Sequence, residues 1–208
     1  FLEGLQDRTV TVGKTTYELP EFSFAIATMN PVELGQGTFP LSEAATDRFA
    51  IMVNIGYLPP EEEAKLVNFD FKRVRLNQLM PKERIIQLRG AISREVFLHE
   101  RLGTYIQRLV AATRPYNPDT DWLIHSPSEL VEHSVDLGAS PRAIICWGRL
   151  AKVWTLLVRR RTEVYPEDIQ DLAQYILSHR IWLGPHAASH GLTVDTVIKD
   201  VLDRIAIP

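Results

Sequence analysis

The spacing of apolar residues in the first part of the chain predicts strands. Residues 8–12 and 15–19 alternate polar and apolar side chains on either side of Gly13-Lys14, a pattern typical of a β-hairpin. Residues 22–28 and 49–55 are short and largely apolar, which favours strands covered on both faces, as in a parallel sheet. We therefore predict α/β structure for this part of the chain.

The pattern changes to a helical period from about residue 81. Apolar residues then recur at i, i+3 and i+4, as at Leu102, Ile106 and Leu109, which is the spacing of an amphipathic helix. Ser126 and Glu129 are spaced as a capping box and predict a further helix start. Other helix starts are predicted at Ser42, Pro60, Ser140-Pro141, Pro166 and Thr193. The predicted fold class is therefore α/β followed by an all-α bundle.

Composition narrows the range of partners and compartments. The chain has 208 residues, 45% of them hydrophobic, and its 23 lysines and arginines against 26 acidic residues give a net charge of -3. This balance provides no general attraction to nucleic acid or to anionic membranes, and no apolar run is long enough to cross a bilayer. A single cysteine, Cys146, excludes an internal disulfide and fits a reducing compartment. We therefore expect a cytoplasmic protein that binds no nucleic acid and inserts into no membrane.

The first residues of the sequence have the spacing of a helix that is already under way. Phe1, Leu2 and Leu5 share one helical face, and no signal-peptide pattern accompanies them. We therefore expect this sequence to be a piece of a longer chain.

Three motifs that suggest binding chemistry have simpler structural explanations. Gly13-Lys14-Thr15 is similar to the end of a phosphate-binding P-loop, but Arg8 stands where that loop needs glycine, and the triplet joins two predicted strands. His186 and His190 have the spacing of metal ligands on a helix, but their glycine and proline neighbours favour a loop. The arginines at 159–161 end a predicted long helix, where cations complement the helix macrodipole.

Two polar residues lie where an α/β sheet places its ligand sites. Asn30 follows the apolar run 22–28, and ligands bind at the carboxyl ends of strands in open α/β sheets, although Asn before proline also forms turns. Arg48 lies between a predicted short helix and a predicted strand. It has an alternative use there as an ion-pair partner of Asp47 or Glu43. The residues by themselves leave both alternatives open.

Arg142 stands in the first turn of the helix predicted to begin at Ser140-Pro141. The positive end of the helix macrodipole disfavours a cation there by a few tenths to about 1 kcal/mol. We therefore expect an anion beside Arg142 that offsets this cost.

Six segments together carry a family signature. In the α/β part they are Phe1-Leu-Glu-Gly-Leu-Gln-Asp-Arg-Thr-Val-Thr-Val, Phe24-Ala-Ile-Ala-Thr-Met-Asn-Pro and Gly37-Thr-Phe-Pro-Leu-Ser-Glu-Ala-Ala-Thr-Asp-Arg-Phe. In the helical part they are Leu109-Val-Ala-Ala-Thr-Arg, Gly138-Ala-Ser-Pro-Arg-Ala and Val164-Tyr-Pro-Glu-Asp-Ile. In this order and spacing, the sequence closely resembles the second half of the ATPase module of MoxR-type AAA+ proteins. The resemblance covers nearly the whole chain.

The resemblance implies two domains. Residues 81–208 are similar to the helical lid of the family, in which the segment 115–137 is longer than the family leads us to expect. Residues 1–80 are similar to the C-terminal part of the AAA+ α/β core, with a hairpin insert at 9–19, the sensor 1 strand at 22–30 and the arginine-finger region at 41–55.

The resemblance also implies roles for three residues. Asn30 matches the sensor 1 residue, which in the family positions the water that attacks the γ-phosphate of ATP. Arg48 matches the arginine finger, which stabilises charge on the phosphoryl group held by the neighbouring subunit. Arg142 matches the sensor 2 residue, which contacts phosphate from the lid and responds to nucleotide state.

For the intact protein, the resemblance implies ATP hydrolysis with Mg²⁺ in a homo-oligomeric ring, expected to be a hexamer. The hydrolysis would drive chaperone-like remodelling or metal-dependent maturation of a client or of a von Willebrand factor A-type partner. The family's P-loop and acidic metal-binding motif precede the matched segments and are not in this sequence. We therefore expect that this chain alone holds neither ATP nor Mg²⁺ and does not hydrolyse ATP.

Other classes of function stay open at this point. A non-catalytic helical interaction or scaffold module is one alternative, and a magnesium-chelatase-type AAA+ subunit is another. A DNA-binding module is a third, and it rests only on the arginines at 159–161.

Overall fold

The computed structural model describes residues 4, 7–29, 42–116 and 128–208. The strands are β1 (Thr9–Val12), β2 (Thr15–Glu18), β3 (Val135–Leu137) and β4 (Trp182–Leu183). The helices are α1 (Glu43–Thr46), α2 (Pro60–Lys65), α3 (Lys82–Glu95), α4 (Glu100–Ala112), α5 (Glu129–Ser134), α6 (Pro141–Leu157), α7 (Pro166–Leu177), α8 (Pro185–Ser189) and α9 (Val194–Arg204). Two 3₁₀ turns, Leu66–Asn68 and Phe71–Arg73, follow α2.

The predicted hairpin is present. Strands β1 and β2 pair antiparallel, and the last pair of the ladder joins Val12 to Thr15. Gly13 has a φ of 65° in the connecting turn, a conformation that costs glycine little because it lacks a Cβ. The hairpin prediction is confirmed, and Gly13-Lys14-Thr15 is a hairpin turn rather than the end of a P-loop.

The two predicted buried strands are wrong over the residues that the structure describes. Residues 23–29 and 51–59 have no regular secondary structure, and Phe24 and Ile26 are 79% and 78% exposed. A strand needs hydrogen-bonding partners on a neighbouring chain segment, and no strand within the described ranges lies beside either run. Their apolar patterns are typical of a parallel sheet, but a pattern alone does not supply the neighbouring strands.

The helices from α3 onward surround one hydrophobic core. Helix α6 packs against α3, α4 and α7, while α9 packs against α4, α5 and α7. Apolar residues at helical spacing face inward, and the largest fully buried side chains include Trp147, Ile106, Leu109, Ile169, Ile176 and Leu177. The predicted helical bundle is therefore confirmed.

Hydroxyl caps fix several of the helix starts. The Ser140 and Thr193 side chains accept hydrogen bonds from the backbone N–H groups of Arg142 and Thr196, as predicted for α6 and α9. The predicted capping box is wrong, because Glu129 is the first residue of α5 and the Ser128 hydroxyl provides its cap. Ser126 lies outside the described residues.

His186 lies in a helix, which corrects the predicted loop. Helix α8 is five residues long, begins at Pro185, where the missing N–H of proline costs nothing, and is followed by Gly191 at a φ of 67°. Within the described ranges, no three His, Cys, Asp or Glu side chains are grouped so that they could hold a metal ion. None of the helices in these same ranges has the length and apolar character needed to cross a membrane.

Candidate functional site

A cluster of four side chains joins the segment after α1 to the lid. Asp47 is its centre, and Ser140, Arg142 and Arg180 surround the carboxylate; we name this group the Asp47 cluster. Ser140 and Arg142 belong to the start of α6, whereas Arg180 follows the end of α7. Residues from three separate parts of the chain therefore meet at one carboxylate.

The carboxylate of Asp47 accepts hydrogen bonds from three directions. Ser140 Oγ lies 2.9 Å and 2.8 Å from its two oxygens, while Arg180 Nε is 3.0 Å from Oδ1. Arg142 Nη1 is 3.1 Å from Oδ2. Burial acts to raise the pKa of Asp47, but the hydrogen bonds from Ser140, Arg142 and Arg180 outweigh it and hold this pKa below its usual value. The cluster is therefore built around an ionised carboxylate.

The loop before α6 places Ser140 and Arg142 beside Asp47. The backbone N–H of Ala139 donates to Thr113 Oγ1 at 2.9 Å, and Arg114 Nε donates to the Ala139 carbonyl at 2.8 Å. A Cβ at Gly138 would overlap the backbone of Thr113, so only glycine fits this close approach. The end of α4 therefore fixes the loop from which α6 starts.

The position of Arg142 confirms the anion that its helix start predicts. Its guanidinium, 45% exposed, pairs with Asp47, so the carboxylate offsets the cost of a cation in the first turn of α6. The Ser140 hydroxyl accepts from the Arg142 backbone N–H at 3.1 Å while it donates to Asp47. The same carboxylate therefore orders both the cap and the first cation of the helix.

Arg180 is buried and uses all five of its N–H donors. Its side chain is 2% exposed. Besides Asp47 Oδ1, it donates to the carbonyls of Asp47 at 3.2 Å, Phe49 at 2.6 Å and Ala50 at 3.2 Å. The fifth bond joins Arg180 to the Ile176 carbonyl in α7 at 2.5 Å. Residues 47–50 are therefore tied to the end of α7, and the carbonyls of Phe49 and Ala50 are not free for a sheet ladder.

Three further groups of the lid hold the same segment. His179 Nε2 donates to the Phe49 carbonyl at 3.0 Å, and Cys146 Sγ donates to the Ala50 carbonyl at 3.3 Å. The Met52 N–H donates to the Tyr175 carbonyl at 2.9 Å. Burial raises the pKa of the Cys146 thiol. Helices α6 and α7 thus bind residues 47–52 mainly through backbone groups.

His179 is held in its neutral form. Burial, with a smaller contribution from the positive charge of Arg180, lowers its pKa from 6.5 to about 4. Nε2 carries the proton, because it donates a hydrogen bond to the Phe49 carbonyl. Nδ1 is therefore the unprotonated nitrogen, and this buried atom has no hydrogen-bond partner among the described residues. Protonation of this ring would place a second cation beside Arg180.

The structure brings two of the three predicted site residues to one place. Arg48 lies between Asp47 and Phe49, and its Nη1 donates to the Ala44 carbonyl at 2.5 Å. Arg142 contacts the carboxylate of Asp47, the residue that precedes Arg48 in the sequence. Asn30 lies outside the described residues.

The central residues of the cluster were not predicted from the sequence. Asp47 was considered only as an alternative partner of Arg48, and neither Arg180 nor His179 was a candidate. A signal for Arg180 existed, since it stands four residues after Ile176 and seven after Ala173, in the apolar spacing of α7. A cation at a core-facing position needs a partner, and here that partner is Asp47.

Two of the arginines at 159–161 pair with carboxylates of α7. Arg159 pairs with Asp171 and Asp168, while Arg161 Nη2 is 2.7 Å from Asp168 and its guanidinium lies 3.9 Å from the ring centre of Tyr165. Asp168 is fully buried and also accepts from Thr155 at 2.9 Å. These two arginines therefore link the end of α6 to α7 through ion pairs, in addition to the predicted interaction with the helix macrodipole.

Comparison with known protein families defines the class of this chain. Residues 1–51 match the family model "ATPase family associated with various cellular activities (AAA)", and residues 128–201 match the "AAA lid domain" model. Both matches agree with the hairpin part followed by the helical bundle. The fold is the later part of an AAA+ α/β core followed by its helical lid.

Individual relatives narrow the family. The chain is 33% identical over its whole length to "Chaperone MoxR1" of Mycobacterium tuberculosis and 31% identical to the uncharacterised protein YeaC of Bacillus subtilis. It is also similar, with a TM-score of 0.81 and 34% identity over the whole chain, to the crystal structure of a Cytophaga hutchinsonii protein provisionally described as an ATPase. The family models and these relatives together support a MoxR-type AAA+ family for this chain.

The relatives are longer than this chain. It spans 53% of the M. tuberculosis protein, 60% of YeaC and 61% of the C. hutchinsonii chain.

Proposed function

We propose that this chain is the C-terminal part of the ATPase module of a longer, ATP-hydrolysing MoxR-type protein. In this proposal residues 1–80 end the α/β core and residues 81–208 form the lid. The observation that carries the proposal is the Asp47 cluster, since it joins Arg142 of the lid to the residue next to Arg48. The two cations at this junction suit contact with phosphate groups, Arg142 from the lid and Arg48 toward the neighbouring subunit.

The three residues then have separate tasks in the reaction. Arg48 stabilises negative charge on the phosphoryl group that is transferred in the neighbouring subunit, and Arg142 binds phosphate from the lid. Asn30 orients the attacking water through its side-chain amide. An arginine suits both cationic roles because its planar guanidinium stays charged and donates two parallel hydrogen bonds to phosphate.

The described residues do not by themselves fit Mg²⁺. No group of three metal-ligating side chains occurs among them, and the Gly13-Lys14-Thr15 triplet forms a hairpin turn. We therefore assign the magnesium ligands and the phosphate-binding loop to the part of the intact protein outside this chain. On this basis the 208-residue chain alone is expected to be inactive as an ATPase.

We further propose what ATP hydrolysis drives in the intact protein. The relative named "Chaperone MoxR1" supports chaperone-like remodelling of a client protein. Metal-dependent maturation of a client, and a von Willebrand factor A-type partner, rest on the family resemblance alone. A homo-oligomeric ring, taken to be a hexamer, provides the neighbouring subunit that Arg48 needs. The net charge of -3 and the single cysteine support a cytoplasmic site of action without nucleic acid.

The experiment is an ATPase assay of the intact protein carrying Arg48→Ala. We expect turnover to fall about 10³-fold, the scale on which arginine fingers act. Arg204→Ala is the matched control, because Arg204 is 58% exposed on α9 and pairs only locally with Asp200, at 2.9 Å. Size-exclusion chromatography of both variants checks ring assembly. Unchanged turnover and assembly in Arg48→Ala would contradict the finger assignment.

A further inference from the structure

Four of the five hydrogen bonds of Arg180 go to the segment that carries Arg48. The acceptors are the Asp47 carboxylate and the carbonyls of Asp47, Phe49 and Ala50. They lie on both sides of Arg48 in the chain, so the backbone that carries its side chain is fixed from both directions. No step of the proposed reaction uses Arg180 itself.

The side chains that bond the acceptors of this segment all belong to the lid, while the backbone N–H groups of Arg48 and Phe49 bond the carbonyls of Ala45 and Thr46 in α1. Arg180 lies three residues after the end of α7, and its Nη1 also bonds the Ile176 carbonyl within that helix. Ser140 and Arg142 hold the same carboxylate from the start of α6. A movement of α6 and α7 therefore carries residues 47–50 with it, unless at least these bonds break.

Burial makes this attachment stiff. The Arg180 side chain is 2% exposed and that of Asp47 is 13% exposed, so water competes little for their hydrogen bonds. Separation of the pair would leave a buried charge without a partner, and the free-energy cost of that unpaired charge keeps the two residues together. The attachment thus behaves as a clamp rather than as a surface ion pair.

We propose that Arg180 is a positioning residue that clamps the arginine-finger segment to the lid, so that the lid determines where Arg48 stands. The proposal rests on the role given to Arg48 under the proposed function. A finger must reach its phosphoryl oxygen at hydrogen-bond distance, and misplacement by about 1 Å costs on the order of 10²-fold in rate. Through the Asp47 cluster, a change of lid position on phosphate binding by Arg142 is transmitted to the finger that serves the neighbouring subunit.

The test is a double-mutant cycle in the intact protein with Arg48→Ala, Arg180→Gln and both together. Arg180→Gln is expected to lower kcat for ATP by about tenfold or more, with KM changed by less than about twofold. In the double variant, Arg180→Gln causes no further loss, because Arg180 acts through Arg48. Losses that multiply, or a change confined to KM, overturn the proposal.

Arg161→Gln is the matched control for damage to the lid. Arg161 bonds the buried Asp168 in the first turn of α7, at the opposite end of that helix from Arg180. This variant is expected to lower the thermal stability of the lid yet keep kcat within about twofold at a temperature where it is folded. A loss of kcat as large as that of Arg180→Gln would show that the effect comes from general damage and would overturn the clamp.

A conservative variant covers the case in which Arg180→Gln does not fold. Arg180→Lys keeps the buried cation, but one ammonium group does not span the Asp47 carboxylate and the carbonyls of Phe49 and Ala50 together. It is expected to lower kcat by about threefold or more with little change in KM. Wild-type kcat in folded Arg180→Lys overturns the proposal.

Alkylation of Cys146 separates a failed clamp from a failed finger assignment. Its thiol bonds the Ala50 carbonyl, so its rate of modification, followed by peptide mass spectrometry, reports whether residues 47–50 stay docked. If Arg48→Ala leaves turnover unchanged, the finger assignment fails, and the clamp is then judged by this rate alone. An increase of about fivefold or more in Arg180→Gln supports the clamp, and an unchanged rate overturns it.

Discussion

The lid and the extended runs before it contain similar apolar side chains, but the lid buries them and the runs leave them largely exposed. Trp147 and Ile106 in the lid are 0% and 1% exposed, whereas Phe24 and Ile26 are 79% and 78% exposed. A helix satisfies its own backbone hydrogen bonds and needs only a packing partner, while a strand needs a neighbouring strand as well. The difference shows that the helical domain finds its packing partners within the described chain and that the apolar run 22–28 does not.

Residues 47–52 lie between these two extremes. Residues 49–52 were predicted to begin a strand, yet the carbonyls of Phe49 and Ala50 accept bonds from Arg180, His179 and Cys146 instead. The lid thus supplies polar partners in place of a sheet ladder. This segment is the point at which the helical bundle holds part of the chain that precedes it.

The largest effect on stability is expected in the lid core. Trp147→Ala removes a fully buried side chain whose Nε1 donates to the Ile169 carbonyl at 3.0 Å, so the free energy of unfolding should fall by about 3–5 kcal/mol. Urea unfolding of the 208-residue chain measures it. Trp154→Ala, at a half-buried position of the same helix, is the control and should cost clearly less. Equal losses would mean that the core is not centred where the structure places it.

Acid should weaken the contact between lid and segment 47–52 through His179. Its pKa is lowered from 6.5 to about 4, so between these values the unfolded chain binds a proton that the folded chain does not. The free energy of unfolding should therefore fall as pH falls through this window, by up to about 3 kcal/mol in all, and this contribution is fully present above pH 6.5.

Urea unfolding across the same pH range, with His179→Asn beside the wild type, checks this prediction. The substitution should flatten the pH dependence in the window, whereas His186→Asn, at an exposed position of α8, should leave it as in the wild type. An unchanged slope in His179→Asn would assign the acid sensitivity to other groups.

A smaller effect is expected in the hairpin. Gly13 has a φ of 65° with open space around the position of a Cβ, so Gly13→Ala should cost about 1 kcal/mol from backbone strain alone. Hydrogen exchange should show faster exchange in β1 and β2 and no change in α6 or α7. Gly103→Ala, in the first turn of α4 with equally open surroundings, is the control and should stabilise slightly.

The smallest effect is expected in the exposed runs. Ile26→Ala should change the stability of the 208-residue chain by less than about 0.5 kcal/mol, because the side chain is already 78% exposed. In the intact protein the same substitution should cost about 2 kcal/mol or more, if further strands cover this run as its apolar pattern indicates. Equally small losses of stability in the 208-residue chain and in the intact protein would show that residues 22–28 are not part of a buried sheet.

The candidate site could be predicted only in part. The helix macrodipole at Arg142 required an anion, but nothing in the local sequence pointed to Asp47, which lies 95 residues away. The contact of Asp47 with Arg180 spans 133 residues. Polar pairing across such separations depends on how helices pack, which periodicity does not encode.

The sequence by itself determined the hairpin turn, the change to a helical period near residue 81, and most of the longer helices with the caps of α6 and α9. These features depend on hydrogen bonds and apolar spacing within about a dozen neighbouring residues. Only the tertiary structure decided that Asp47 stands at the centre of the site, that His179 is neutral, and that residues 49–55 leave the strand predicted for them. Each of these outcomes depends on which distant groups share a buried space, because burial and the partners met there set both charge state and hydrogen bonding.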